Sequence, residues 1–125
     1  YKDCITLYLL SIIIRRFEAE EAPLTAREIA SEQHLPVRLV LQLLSRLEET
    51  GLLRAVYVEG KEERTYQPAL DTHKITIGMV FDRIDMQGNE EFIEGTNPEM
   101  QVFWQKFRQL KSEHNTLNAI KVREI

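Results

Sequence analysis

Only one cysteine, Cys4, occurs in the chain, so no internal disulfide can form and the framework of a small disulfide-stapled secreted domain is excluded. Free cysteine is usually buried, so this thiol is expected as a small apolar filler of the first helix, in a reducing, cytoplasmic setting. A glycine-rich phosphate loop is missing as well: the five glycines are scattered and none sits in a phosphate-cradling pattern. His34, His73 and His114 lie far apart, and none has a second ligand at the spacing that a helical metal site needs. Asp82 and Asp85 are three apart on one expected helix, but two carboxylates are too few for an oxygen-ligated cation. No catalytic, metal or cofactor residue is therefore expected, and neither is an enzyme.

Positive charge is also in deficit. Lys and Arg number 16 against 20 Asp and Glu, for a formal net charge of −4 and a pI near 5.4. A nucleic-acid binder draws most of its non-specific affinity from neutralising phosphates; this chain would need a local basic patch to do so. No long apolar run is present either. Residues 4–14 are apolar nearly all round and are followed by Arg15 and Arg16, but a bilayer span takes roughly 20 such residues. A buried core helix is expected there, and a membrane-proximal position with the two arginines toward the cytoplasm is compatible with it. The chain opens on Tyr rather than Met, and nothing like a cleavage site follows the apolar run. It is expected to be a segment of a longer protein. Its 125 residues suffice for one domain with a modest core.

What is present centres on residues 24–68. Thr25-Ala26-Arg27-Glu28 is a capping box, in which the hydroxyl accepts from an amide one turn in and the glutamate reaches back to the cap. Ala26, Ile29 and Ala30 make a small apolar face. Leu35 fits between two helices, and Pro36 suits the first turn of the second, where its missing N–H costs nothing. That second helix is expected to stop at Gly51, which tolerates the left-handed conformation past a helix end. Val37, Val40, Leu41, Leu44 and Leu47 fall on one side of it, and Arg38, Leu39, Gln42, Arg46 and Glu49 on the other. Two strand-prone stretches follow within 52–68, with Pro68 expected at a strand end or edge because it cannot donate to a ladder. The loop between them, Glu59-Gly60-Lys61-Glu62-Glu63, is acidic where a DNA-gripping wing would be basic.

The expected architecture is mainly α with a small β wing: a winged helix-turn-helix with an additional C-terminal helix. Residues 1–86 form the winged-helix domain (helix 3–20, helix-turn-helix 25–50, wing 52–68, helix 76–86), residues 87–97 a polar loop, and residues 98–125 a helix and tail on the same domain. Thr76 is a plausible cap for the helix carrying Ile77, Val80, Phe81 and Ile84. On the last helix Met100, Phe103, Trp104, Phe107 and Leu110 recur at helical spacing. They either pack against the first helix or, through Phe103, Trp104 and Phe107, dock a second copy or another domain.

The stretch LTAREIASEQHLPVRLVLQLLSRLEETGLL resembles the winged helices of Rrf2-type regulators, although their cluster-binding cysteines have no counterpart here. A resemblance over nearly the whole chain, carried most specifically by TYQPALDTHKITIGMVFDRID, is to the C-terminal cytoplasmic extension of the YihY/BrkB inner-membrane proteins, often labelled ribonuclease BN-like. It implies a preceding transmembrane portion as partner and a place on the cytoplasmic face of the bacterial inner membrane. On that basis the leading expectation is a non-enzymatic accessory domain serving protein interaction or regulation. The alternative is a DNA-binding transcriptional regulator using Arg38, Leu39, Gln42 and Arg46, with Lys61 and Arg64 as wing contacts. A homodimer fits either, whereas nucleic acid as partner fits only the second.

Overall fold

The computed structural model describes residues 2–94, 97–113 and 116–125. Its centre is α1 (Lys2–Glu18). Leu9, Leu10, Ile13 and Ile14 recur at helical spacing and are removed almost entirely from solvent. Around them pack α3 (Val37–Glu49), β2 (Thr65–Pro68), α4 (Ile77–Glu94) and the C-terminal tail. Burying each such side chain contributes on the order of 1.5–3 kcal/mol, so this one helix holds the other layers together. Among the described residues no helix is long and apolar enough to cross a membrane. Cys4, expected inside, is exposed: the buried stripe begins only at Thr6, which leaves the preceding turn of α1 uncovered on the Cys4 side.

The helix pair follows. In α2 (Ala26–Gln33) the capping box is fully formed: the Glu28 amide donates to Thr25 Oγ1 at 3.1 Å and the Thr25 amide to Glu28 Oε1 at 2.9 Å. His34 ends the helix in the left-handed conformation, φ 56°. Leu35 turns back onto the core, and Pro36 stands at the N-cap of α3 (Val37–Glu49). Val40, Leu43, Leu44 and Leu47 form the buried stripe of α3. Helical spacing alone puts Leu41 inside and Leu39 outside, and the structure corrects both. Leu41 is exposed, whereas Leu39 is half-buried against the core. Rotation of 100° per residue puts Leu39 beside Leu43, on the flank of the stripe, and swings Leu41 past its opposite edge.

Gly51 takes φ 79° and turns the chain into β1 (Leu53–Val56), which pairs antiparallel with β2 (Thr65–Pro68) in the register Leu53↔Pro68 and Val56↔Thr65. Pro68 therefore lies at the strand end. A bridge between Thr25 and Thr65 ties the start of α2 to the second strand.

Thr76 caps α4 (Ile77–Glu94), its hydroxyl accepting from the Met79 amide at 3.1 Å. The helix continues to Glu94, past residue 86 where a loop was expected. The single Gly88 costs about 1 kcal/mol against alanine, which is too little to stop a helix already propagating, and no proline intervenes before Pro98. Residues 95 and 96, the end of that expected loop, lie outside the described residues, as does His114. α5 (Pro98–Glu113) makes its principal contact with α4. The chain then returns to the body in two 3-10 turns. Val122 is fully buried, its amide donates to the Ile75 carbonyl at 3.0 Å, and the Ile77 amide donates to that of Ile120 at 2.9 Å. Arg123 pairs with Glu18 at 2.8 Å and fastens the tail to the end of α1.

Candidate nucleic-acid interface

The side of α3 opposite its buried stripe carries Arg38, Gln42, Ser45, Arg46 and Glu49, all exposed. Arg38, Gln42 and Arg46 stand four residues apart, which spaces them over roughly 12 Å at about 1.5 Å per residue. Among the described residues neither arginine has an ion pair or side-chain hydrogen bond. Beside this row lies a shallow polar hollow of about 460 Å³ lined by Lys2, Gln42, Ser45, Arg46, Glu49 and Gln87. Lys2 thus adds a third cation near the face. Gln87 donates to the Glu49 carboxylate, so the one acid at the end of the row is held by α4. Ser45, not among the expected site residues, lies on the same side one turn from Gln42, where the helical spacing alone puts it. Leu39 does not belong to this face.

The wing cations are placed differently. The Lys61 ammonium donates to Glu28 Oε1 and to the Pro23 carbonyl, each at 2.9 Å. Arg64 is paired with Glu48. Arg27, which was not among the expected site residues, donates to Glu63 Oε1 at 2.9 Å. Arg27, Lys61 and Arg64 thus each have a glutamate as partner, whereas Arg54, exposed on β1, has no ion pair among the described residues. The Thr25 amide and the Lys61 ammonium together hold the Glu28 carboxyl below the usual glutamate range. These pairs join residues 16 to 36 positions apart, so no local pattern announces them. Glu59 and Glu62 remain exposed at the loop.

On α5 the expected oligomer residues separate into two sets. Trp104 and Arg108 are half-buried on the side toward α4, where the Arg108 guanidinium donates to the Asp82 carbonyl at 3.1 Å. Phe103 is 67% and Phe107 47% exposed, beside Val102 at 66% and Leu110 at 47%. Trp104 and Phe107 remain in ring contact, centroids 5.9 Å apart. Packing of the aromatic stripe on the first helix is therefore not what the structure shows: most of its apolar surface faces outward. Among the described residues no group of three or more His, Cys, Asp or Glu is placed to hold a metal ion.

No protein-family model matches the sequence, and no curated relative does. Solved structures do match in shape. CymR of Staphylococcus aureus superposes with a TM-score of 0.62 at 21% identity, covering 98% of this chain and 92% of its own. CymR of B. subtilis, described as the global cysteine regulator, gives 0.64 at 18%, covering 99% and 92%. IscR of T. potens gives 0.63 at 18%, covering 98% and 80%. These neighbours are Rrf2-type winged-helix regulators, the class that the helix pair resembles. The same likenesses lend no support to the YihY/BrkB resemblance. Similarity at this level of identity extends over the whole chain, the α4–α5 hairpin included, and what it establishes is the fold: this is a winged helix-turn-helix.

Proposed function

We propose that the domain is a DNA-binding regulator module that meets duplex DNA through the outer face of α3 and works as a homodimer joined through α5. The observation that carries this reading is the row Arg38, Gln42, Arg46: two exposed guanidinium groups with no ion pair among the described residues, bracketing an amide. Arginine reads guanine bidentately and glutamine reads adenine in the major groove, which admits a helix. Lys2, at the rim of the hollow, adds charge on the same side. The shape likeness to CymR and IscR supports the regulator reading over that of a membrane-protein accessory domain, and it gives no reason to assign nuclease chemistry.

The dimer is argued from α5. Phe103, Phe107 and Leu110, within about 60° of one another on the helix, leave apolar side chains exposed beside Val102 on an element whose main contact is one other helix, and exposed apolar surface marks sites of association. A second copy presents the same stripe, so the contact closes on itself by two-fold symmetry.

The experiment is a titration of random-sequence duplex DNA with the parent and with Arg38→Ala/Arg46→Ala. Both sites are exposed and have no ion pair or side-chain hydrogen bond among the described residues, so the variant should fold with stability within about 0.5 kcal/mol of the parent. On random-sequence duplex the two guanidinium groups serve as phosphate contacts rather than base readers, so affinity should fall and the slope of log K against log salt should become shallower by about one for each contact removed. Equal binding by variant and parent defeats the proposal.

One feature favours a second reading. The acid surplus at the wing, with Glu59 and Glu62 exposed, suits a protein partner better than a polyanion. In that case the domain serves interaction or regulation, and the double arginine variant changes nothing in a DNA titration.

A further inference from the structure

Around the wing loop, three of the cations that would grip DNA are matched pairwise with acids, while Arg54 on β1 stands outside these pairs. Glu63 occupies the guanidinium of Arg27 at 2.9 Å and Glu48 that of Arg64. Lys61 is spent on Glu28 and the Pro23 carbonyl. Within this patch three cations stand among five carboxylates once Glu59 and Glu62 are included. Exposed ion pairs are weak, typically about 0–1 kcal/mol. Their strength is therefore not what keeps phosphate away. A phosphate approaching Arg27 or Arg64 would displace a carboxylate for little gain, and would do so against a surplus of negative charge.

Resting on the DNA reading above, we infer that Glu48 and Glu63 act as an autoinhibitory clamp on the wing: they hold Arg64 and Arg27 off the DNA backbone. The clamp makes the wing a latent second phosphate site. Loss of the two carboxylate charges opens it. Lys61 is not part of the latent site, because its ammonium already serves the helix cap through Glu28 and the Pro23 carbonyl.

The test compares three proteins binding random-sequence duplex by fluorescence anisotropy across a fourfold range of salt: the parent, Glu48→Gln/Glu63→Gln, and Glu59→Gln/Glu62→Gln. The two variants change the net charge equally, but only the first releases arginines. The first should steepen the salt slope by about 0.9 for each phosphate gained. For two contacts that amounts to about tenfold more loss of affinity over the fourfold range. The second should tighten binding without that steepening. Adding Arg27→Ala/Arg64→Ala to the first variant should abolish its steepening, and the same pair in the parent should weaken binding only through net charge, leaving the salt slope unchanged. Equal slopes for the two glutamine variants overturn the clamp. So does a shallower salt slope when the parent loses Arg27 and Arg64, since the wing would then already be on the DNA. If Glu48→Gln/Glu63→Gln binds like the parent while Arg38→Ala/Arg46→Ala weakens it, the clamp fails and the DNA reading stands. If neither the parent nor any glutamine variant binds, both fall.

Discussion

Glu28 shows how much one side chain can carry and how little of it is visible locally. Its spacing from Thr25 announces a capping box, and the box is there. The arrival of Lys61 from 33 residues away is not announced by anything in the sequence. The consequence for pH can be worked out by sign. Two hydrogen-bonding partners favour the charged carboxylate, so its folded pKa lies below the unfolded one. Stability from this group is then fully present above roughly pH 4.3 and drains away as pH falls through that value and below. Glu18, held down chiefly by Arg123, works in the same direction. Thermal melts of Glu28→Gln between pH 7 and pH 3.5 should therefore show a shallower acid decline than the parent, though not a flat one. Identical declines contradict the linkage. Thr25→Ala removes the other half of the box and should cost about 1 kcal/mol in denaturant unfolding at neutral pH; a cost near zero would mean that the cap is not holding α2.

At the scale of elements, helical spacing states which residues share a face and leaves open what covers that face. On α3 the distinction is small. The stripe was recovered apart from an exchange of Leu41 for Leu43 at its margin, because the core consumes four adjacent positions and the margin is settled by neighbours. On α5 it decides the interpretation. The aromatic periodicity of residues 103–110 was plain, but only its Trp104 edge turns toward α4, and Phe103 and Phe107 are left to solvent. The end of α4 was misjudged for a related reason: glycine and polar residues after Met86 read as a loop, although a helix docked through Val80 and Ile84 pays little to extend. If the outward stripe pairs two copies, Phe103→Ser/Phe107→Ser should convert a dimer into a monomer in sedimentation velocity while the melting temperature of the body changes little. A parent that sediments as a monomer at tens of micromolar would remove the dimer from the account.

For the molecule as a whole, the fold was legible because its signals agree across levels: a capped helix, a proline-started helix, a glycine stop and two short strands in the order that one architecture requires. The site was legible only in part. Arg38, Gln42 and Arg46 could be placed outward from spacing alone, whereas the fate of Lys61 and Arg64 depends on Glu28 and Glu48, which the fold brings across from the helix pair. Net charge is a poor guide for the same reason. A value of −4 averages over a wing where Arg27, Lys61 and Arg64 are paired and a helix face whose arginines, among the described residues, are not. The central claim is that this face, without the wing, binds duplex DNA. It is tested most directly by the salt dependence of binding between parent protein and random duplex, starting at about 50 mM salt. The account predicts measurable binding with a slope of about −2 per protomer, or about −4 for a dimer engaging both copies of Arg38 and Arg46. Absence of binding at low salt, or binding that salt leaves unchanged, would contradict it.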